Sequence, residues 1–108
     1  MEGKSEMITV LVTFAIPEPV TYEEAREIFK STAPRYRGVE GLVRKAYIWA
    51  EGGSIVGALY TWRSREEAES FYNDIWRSFV RAKYQVDPVL RYFDNPVIVD
   101  NIANEIVS

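Results

Sequence analysis

The chain contains no cysteine and no histidine in its 108 residues. The absence of cysteine excludes disulfides, thiolate nucleophiles, iron–sulfur clusters and thiolate zinc sites. The absence of histidine removes the commonest general base, the usual metal ligand and the proximal ligand of a haem. Any catalysis must therefore rely on lysine, arginine, tyrosine, tryptophan, asparagine or a carboxylate, or on the substrate itself.

Further absences limit the possible partners. Basic residues are spread along the chain and the net charge is -3, so there is no electrostatic footprint for nucleic acid. The longest apolar run, at residues 8–16, is far too short to span a membrane, and nothing resembles a signal peptide. We therefore expect a cytoplasmic protein that binds neither nucleic acid nor a membrane.

The order of apolar and polar residues predicts four strands and two helices. The strands are expected at residues 8–16, 42–49, 55–62 and 89–93. Each helix begins with a capping box, at Thr21 and Glu24 and at Ser64 and Glu67. The order β-α-β-β-α-β predicts an α+β, ferredoxin-like fold, in which a four-stranded antiparallel sheet carries both helices on one face.

The second helix has the most regular apolar spacing in the chain. Its apolar residues follow the i, i+3, i+4, i+7 rule and are Ala68, Phe71, Tyr72, Ile75, Trp76, Phe79 and Val80. This spacing predicts one continuous helix whose apolar stripe packs on the sheet.

The strands at residues 8–16 and 55–62 are apolar on both faces, although a small antiparallel sheet usually has one solvated face. Two helices cover one face only, so we expect a second copy of the chain on the other. The length allows one domain, which we divide into a core at 8–95 and a C-terminal arm at 96–108. The arm is too apolar at residues 96–99 to stay in solvent, and we expect it at the dimer interface.

A two-residue turn at Gly52-Gly53 predicts the register of the hairpin between the second and third strands. That register pairs Trp49 with Val56, Tyr47 with Ala58, Lys45 with Tyr60 and Val43 with Trp62. These side chains share one face, which we expect to point toward the partner or a ligand cavity. The other face is smaller and more aliphatic, includes Arg44, and is expected to receive the helices, with Gly57 allowing their close approach.

Lys45 is the most informative residue of the aromatic face. A lysine among aromatic rings makes cation–π contacts, and desolvation lowers its pKa toward a catalytic range. The candidate substrate-binding residues are Trp49, Tyr60 and Trp62 of this face, together with Tyr72 and Trp76 on the packed stripe of the second helix. Two structural alternatives stay open: the aromatic residues are only core or interface anchors, and Lys45 only extends to solvent at the sheet edge.

Three motifs stand out in the hairpin, at the start of the second helix and in the tail. They are Gly41-Leu42 leading to Lys45-x-Tyr47, then Gly57-x-x-Tyr60-x-Trp62-x-Ser64-x-Glu66-x-Ala68, and Tyr92-Phe93-Asp94-x-Pro96-Val97-Ile98-Val99-Asp100-Asn101. Together they resemble the YdhR-like monooxygenase family of the dimeric α/β-barrel superfamily, over residues 8–101. The resemblance implies a homodimer in which two sheets pack into a barrel. Lys45 and Tyr47 match the family pattern and are the candidate catalytic residues.

Relatives in this superfamily include cofactor-independent monooxygenases that oxidise polyphenols without flavin, haem or metal, so the resemblance implies that no cofactor is needed. In that chemistry the substrate loses a proton and its anion reduces dioxygen. The resemblance therefore implies a monooxygenase for a small aromatic or phenolic compound. Two alternatives stay open: a dimeric module that binds a small aromatic ligand without turnover, and an interaction or stress-response module whose own side chains fill the cavity.

Overall fold

The computed structural model describes residues 6–108. The strands and helices follow the predicted order, except that two helices stand where one was predicted, and two short strands follow at the C-terminal end. The elements are β1 (Ile8–Ala15), α1 (Tyr22–Thr32), a 3-10 turn (Ala33–Tyr36), β2 (Leu42–Trp49), β3 (Ile55–Trp62), α2 (Arg65–Phe71), α3 (Asp74–Tyr84), β4 (Val89–Asp94), β5 (Ile98–Asp100) and β6 (Glu105–Val107).

The first four strands form one antiparallel sheet in the order β2-β3-β1-β4. This confirms the predicted α+β, ferredoxin-like fold, with β2 and β4 as edge strands. The capping box at Thr21 and Glu24 forms as predicted, and the side chain of Ser64 caps α2 by accepting from the backbone of Glu67. No helix within residues 6–108 has the length and apolarity needed to cross a membrane.

The prediction of one continuous second helix is wrong, because that segment divides into α2 and α3. The side chain of Asn73 accepts a hydrogen bond from the backbone N–H of Trp76 at 2.9 Å, and so caps the start of a new helix. The break changes the helical phase. Trp76 and Val80 stay buried, but Ile75, which was assigned to the same stripe, is 76% exposed.

The helices pack on the aromatic face of the sheet, which reverses the predicted assignment of the two faces. Val56, Ala58, Tyr60 and Trp62 are buried there, in one core with residues of β1, α2 and α3. We call this side the covered face. The larger rings bury more apolar area beneath a helical layer than the small aliphatic side chains would, which is the physical reason for the reversal.

The opposite side of the sheet, which we call the open face, carries no helix. It presents Ile55 and Leu59 of β3 and Phe93 of β4, all at least two-fifths exposed. Gly57 lies between the first two, and a Cβ there would come 1.9 Å from the carbonyl oxygen of Val12 in β1. Gly57 therefore allows a neighbouring strand to approach, not a helix as predicted.

Three of the four predicted pairs in the hairpin are confirmed, and the fourth is wrong. Lys45, Tyr47 and Trp49 lie opposite Tyr60, Ala58 and Val56. A β-bulge between Leu42 and Arg44 then shifts the register, so that Leu42, not Val43, faces Trp62. Leu42 packs against the core, whereas Val43 is 53% exposed. The bulge exchanges a β-branched residue for the longer leucine beside the tryptophan.

The C-terminal segment is a hairpin in which β5 pairs with β6 in a separate two-stranded sheet. Asn95 fixes its starting point, because its side chain donates to the carbonyl of Met7 at 3.2 Å and accepts from the Thr9 hydroxyl at 3.1 Å. Beyond that anchor most apolar side chains are exposed, up to 86% at Ile102, whereas Ile98 and Val107 are partly buried. The molecule measures 50 × 29 × 22 Å.

Candidate active site

Lys45 lies in the edge strand β2 and extends over the covered face into a cage of tyrosine rings. Its ammonium nitrogen is 3.1 Å from the ring centroid of Tyr36, 4.1 Å from that of Tyr47 and 4.9 Å from that of Tyr60. Tyr36 comes from the 3-10 turn that follows α1, and Tyr60 lies opposite Lys45 in β3. Three separate segments thus place their rings around one amine.

Lys45 is half-buried, whereas the other lysines and arginines within residues 6–108 are exposed. It forms no salt bridge with any carboxylate in this part of the chain. Burial lowers the pKa of Lys45 to about 6, because the desolvated ammonium has no charged partner to stabilise it. At neutral pH the amine is therefore mainly uncharged and able to accept a proton.

The hydroxyls around this cage already have hydrogen-bond partners. Tyr47 bonds with the hydroxyl of Thr32 at 2.7 Å, and the indole N–H of Trp76 donates to Tyr36 at 3.3 Å. Burial raises the pKa of Tyr47, against the opposing effect of its hydrogen bond with Thr32, and also raises the pKa of Tyr60. Tyr47 and Tyr60 are therefore neutral hydrogen-bonding groups, whereas the pKa of Lys45 lies near neutrality.

Trp62 and Tyr72 lie deeper, between β3 and the end of α2. The indole N–H of Trp62 donates to the hydroxyl of Tyr72 at 3.0 Å, and Tyr72 packs edge-on against Tyr60 with ring centroids 5.3 Å apart. Burial raises the pKa of Tyr72, against the opposing hydrogen bond from Trp62. These buried rings pack behind the tyrosine rings that surround Lys45.

Trp49 is the predicted site residue that the structure places away from the Lys45 amine. It lies four residues after Lys45 in β2, which is about 13 Å along an extended strand. Its indole N–H donates to the carbonyl of Val20 at 3.0 Å, and its ring packs edge-on against Tyr22. The structure brings together Lys45, Tyr47, Tyr60, Trp62, Tyr72 and Trp76.

Sequence analysis missed Tyr36, whose ring is the nearest to the Lys45 amine. It also assigned no role in the site to Thr32. A usable signal was present, because Tyr36 is a lone aromatic residue in a polar connection between a helix and a strand. Such a connection lies at the end of the sheet, where a large ring can fold back over the covered face.

The space inside the cage is small. A cavity of about 10 Å³ lies among Tyr36, Lys45, Tyr47, Tyr60 and Trp76, which is room for about one water molecule. An aromatic ring does not fit there in this conformation.

Two grooves on the outside reach the same cluster. The first, which we call the β2 groove, has a volume of about 280 Å³, and its lining includes Tyr36, Arg37, Val43, Arg44, Lys45 and Tyr47. The second, of about 310 Å³, lies between α1 and β2, and its lining includes Tyr22, Phe29, Lys30, Tyr47 and Trp49. Lys45 is thus accessible from the β2 groove, and Tyr47 is shared by both grooves.

The largest depression, of about 530 Å³, lies beside α2 and the start of α3. It includes Trp76 but not Lys45, and its charged lining is mostly acidic, with Glu40, Glu66 and Glu67. Within residues 6–108 no group of three acidic side chains is arranged to hold a metal ion. The titratable group with the clearest chemistry is therefore at the β2 groove and not in the largest depression.

Comparison with known proteins supports the fold. No protein-family model matches the chain, and no curated protein matches it. Solved structures do match. A monooxygenase from the ActVA-Orf6 gene of Streptomyces coelicolor, in complex with nanaomycin D, is 19% identical with a TM-score of 0.61, over 83% of this chain and 87% of that chain.

Two further solved structures match the fold of this chain. A variant of SnoaB, a cofactor-independent oxygenase from Streptomyces nogalater, is 14% identical with a TM-score of 0.58, over 82% of this chain and 91% of that one. Protein SO0527 from Shewanella oneidensis is 10% identical with a TM-score of 0.63, over 96% of this chain and 95% of that one. The chain therefore has the ferredoxin-like fold found in antibiotic-biosynthesis monooxygenases.

Proposed function

We propose that this protein is a cofactor-independent monooxygenase that acts on a small aromatic, phenolic compound. The observation that carries the proposal is the position of the Lys45 amine, within 5 Å of three tyrosine ring centroids and in the lining of the β2 groove. A neutral amine with a pKa of about 6 is suited to general-base catalysis near neutral pH.

In this mechanism Lys45 removes a proton from the substrate, and the resulting ammonium stays beside the anion. The anion transfers electrons to dioxygen, and a carbon–oxygen bond forms. For a ring CH₂ group the balance is CH₂ + O₂ → C=O + H₂O, so that one oxygen atom stays on carbon and the other leaves as water. The protein supplies the base, the counter-charge and a dry site.

Tyr47 is the second proposed catalytic residue, because its side chain lines both grooves and its hydroxyl is oriented by a hydrogen bond with Thr32. Tyr60, Trp62, Tyr72 and Trp76 would keep water from the base, and Trp49 would form a wall of the groove along α1. The fold shared with ActVA-Orf6 and SnoaB supports an oxygenase assignment. Membership of the YdhR-like subfamily and a location in the cytoplasm stay predictions.

We further propose that the protein is a homodimer whose two open faces pack together. The exposed apolar residues of β3 and β4 support this, since a face of this kind is an interaction surface. The proposed core at 8–95 and arm at 96–108 imply that the C-terminal hairpin adds to the same interface. Deletion of residues 96–108 should therefore weaken the dimer, and an unchanged elution volume at low micromolar concentration would count against the arm.

Oxygen consumption tests the enzymatic proposal. With an anthrone- or hydroquinone-type substrate we expect uptake that increases as the pH rises through about 6, because the base must be unprotonated. Lys45→Met should lose this activity, whereas Lys83→Met, which alters an exposed lysine of α3, should retain it. Full activity in Lys45→Met would remove the role assigned to Lys45.

The size of the internal cavity favours a second candidate, a module that binds an aromatic ligand without turnover. A space of about 10 Å³ gives the buried rings a structural role, and the ligand would stay in the outer grooves. This candidate predicts saturable quenching of tryptophan fluorescence with no oxygen uptake. Uptake that is coupled to product formation would rule it out.

A further inference from the structure

The β2 groove is lined by cationic side chains, although the chain as a whole is acidic. Its lining contains two arginines, Arg37 and Arg44, beside the amine of Lys45, and no carboxylate. The whole chain has a net charge of -3, and the largest depression contains three glutamates. The groove between α1 and β2 also contains two cations, Arg26 and Lys30, but each forms a salt bridge with Glu27, at 3.8 Å and 3.7 Å. Of these two grooves, the β2 groove is therefore the one whose cations are unpaired.

The cations of the groove are not neutralised by the protein. Neither Arg37 nor Arg44 forms a salt bridge with a carboxylate in residues 6–108, and Lys45 does not either. Arg44 contributes to the lowered pKa of Asp100, but backbone N–H groups of Ala103 and Ile102 contribute more and occupy an oxygen of that carboxylate.

The same groove also presents apolar and aromatic surface. Tyr36 and Tyr47 line it beside Lys45, and the β-bulge turns Val43 outward into it. A bulge commonly redirects side chains next to a functional site. A flat ring with a negative charge at its edge matches this combination of aromatic walls and unpaired cations.

We propose that the β2 groove binds an aromatic carboxylate that also carries a phenolic hydroxyl. The carboxylate pairs with the guanidinium of Arg37, in the bidentate geometry that arginine favours, and the ring lies against Tyr36 and Tyr47. The hydroxyl then faces the amine of Lys45. This assignment rests on the proposed function and names its substrate class as anionic hydroxyaromatic acids.

Isothermal titration calorimetry with two probes of one shape tests the proposal. The probes are para-hydroxybenzoate and its neutral analogue para-hydroxybenzamide. We expect the acid to bind about tenfold more tightly, on the scale of one charge-assisted hydrogen-bonded pair. Its affinity should fall as salt is added, because the groove is open to solvent.

Arg37→Gln should remove the preference for the acid, and Arg37→Lys should keep part of it. The matched control is Arg77→Gln. Arg77 is an exposed arginine of α3 whose charge opposes the rise in the pKa of Tyr92, and Tyr92 lies in β4, at the opposite edge of the sheet. It should leave both affinities unchanged. Circular dichroism of each variant verifies that the fold is intact.

The outcomes separate this inference from the proposed function. Equal affinity for the two probes, no binding of either, or a preference that persists in Arg37→Gln would overturn the inference. Oxygen uptake with a neutral phenol would still support the monooxygenase. Conversely, tight and Arg37-dependent binding of the acid without any oxygen uptake would support the anion-binding site and contradict the monooxygenase activity.

Discussion

The two faces of the sheet are built from alternate residues of the same strands, yet one face is buried and the other is exposed. In β3, Tyr60 and Trp62 are at most 2% exposed beneath the helices, whereas Ile55 and Leu59 on the open face are at least 40% exposed. The covered face completes its packing within one chain. The open face is apolar without a cover, so a second molecule is the partner we propose for it.

The faces differ also in where they place charge. On the covered face Lys45 is held among tyrosine rings and away from carboxylates, and its pKa is lowered to about 6. The arginines of the open face, Arg44 and Arg91, are exposed to solvent. Burial therefore lowers the pKa of one lysine, while the arginines on the other side are solvated.

The largest expected effect compares two substitutions in the same strand. Trp62→Ala should lower the free energy of unfolding by about 3–5 kcal/mol at every protein concentration, because it leaves a cavity in the core of one chain. The cost of Leu59→Ala should depend on protein concentration, because the side chain is buried only by the partner. Chemical denaturation over a wide concentration range measures both, and a concentration-independent cost at Leu59 would contradict a partner on the open face.

A charge on the open face should separate the two copies. Leu59→Glu is expected to give monomers in sedimentation velocity experiments at concentrations where the unchanged protein is dimeric, since a carboxylate in an apolar interface is desolvated without a partner. Ile75→Glu is the control, because Ile75 is exposed on α3 and away from the open face. A dimer that persists in Leu59→Glu would place the interface elsewhere.

The pH dependence of stability should distinguish Lys45 from a neutral side chain of similar length. Between about pH 6 and the ordinary lysine pKa of 10.5, the unfolded chain holds one more proton at Lys45 than the folded chain does. The stability of the protein should therefore rise with pH in this window relative to Lys45→Met. Parallel stability curves for the two proteins from pH 6 to pH 9 would contradict the lowered pKa.

The smallest expected effect concerns the hydrogen bond that orients Tyr47. Thr32→Val removes the partner of the tyrosine hydroxyl with little change of shape, and should cost about 1 kcal/mol of stability. If Tyr47 acts in catalysis, the rate of oxygen uptake per folded molecule should fall as well, which the loss of stability alone would not cause. Thermal unfolding and oxygen-electrode measurements on the same samples provide the comparison.

Local signals in the sequence predicted most of the fold. The capping residues Thr21 and Ser64 mark the helix starts, and the turn at Gly52-Gly53 predicted the partners of Lys45, Tyr47 and Trp49. Sequence analysis assigned the two faces the wrong way round, because alternation shows which residues share a face but not which face receives the helices. That choice depends on how much area each face buries, which is a property of the packed molecule.

The candidate site was predictable in part for the same reason. Lys45 and Tyr60 lie across a strand pair, and their contact follows from the register. Tyr36 comes from a connection whose path no periodicity describes, so its position 3.1 Å from Lys45 required the structure. The regular apolar spacing predicted one continuous second helix, but the side chain of Asn73 caps a new helix inside it. The spacing of apolar residues alone does not show that such a cap forms.

The central claim is that Lys45 is an uncharged base at neutral pH, and nuclear magnetic resonance of its side chain tests this most directly. Lys4, Lys30, Lys45 and Lys83 are the lysines of the chain, so ¹³C labelling at the ε carbon gives a simple spectrum that Lys45→Met assigns. The account predicts that one of these signals titrates with a pKa of about 6. Titration of the Lys45 signal near the ordinary value of 10.5 would contradict it.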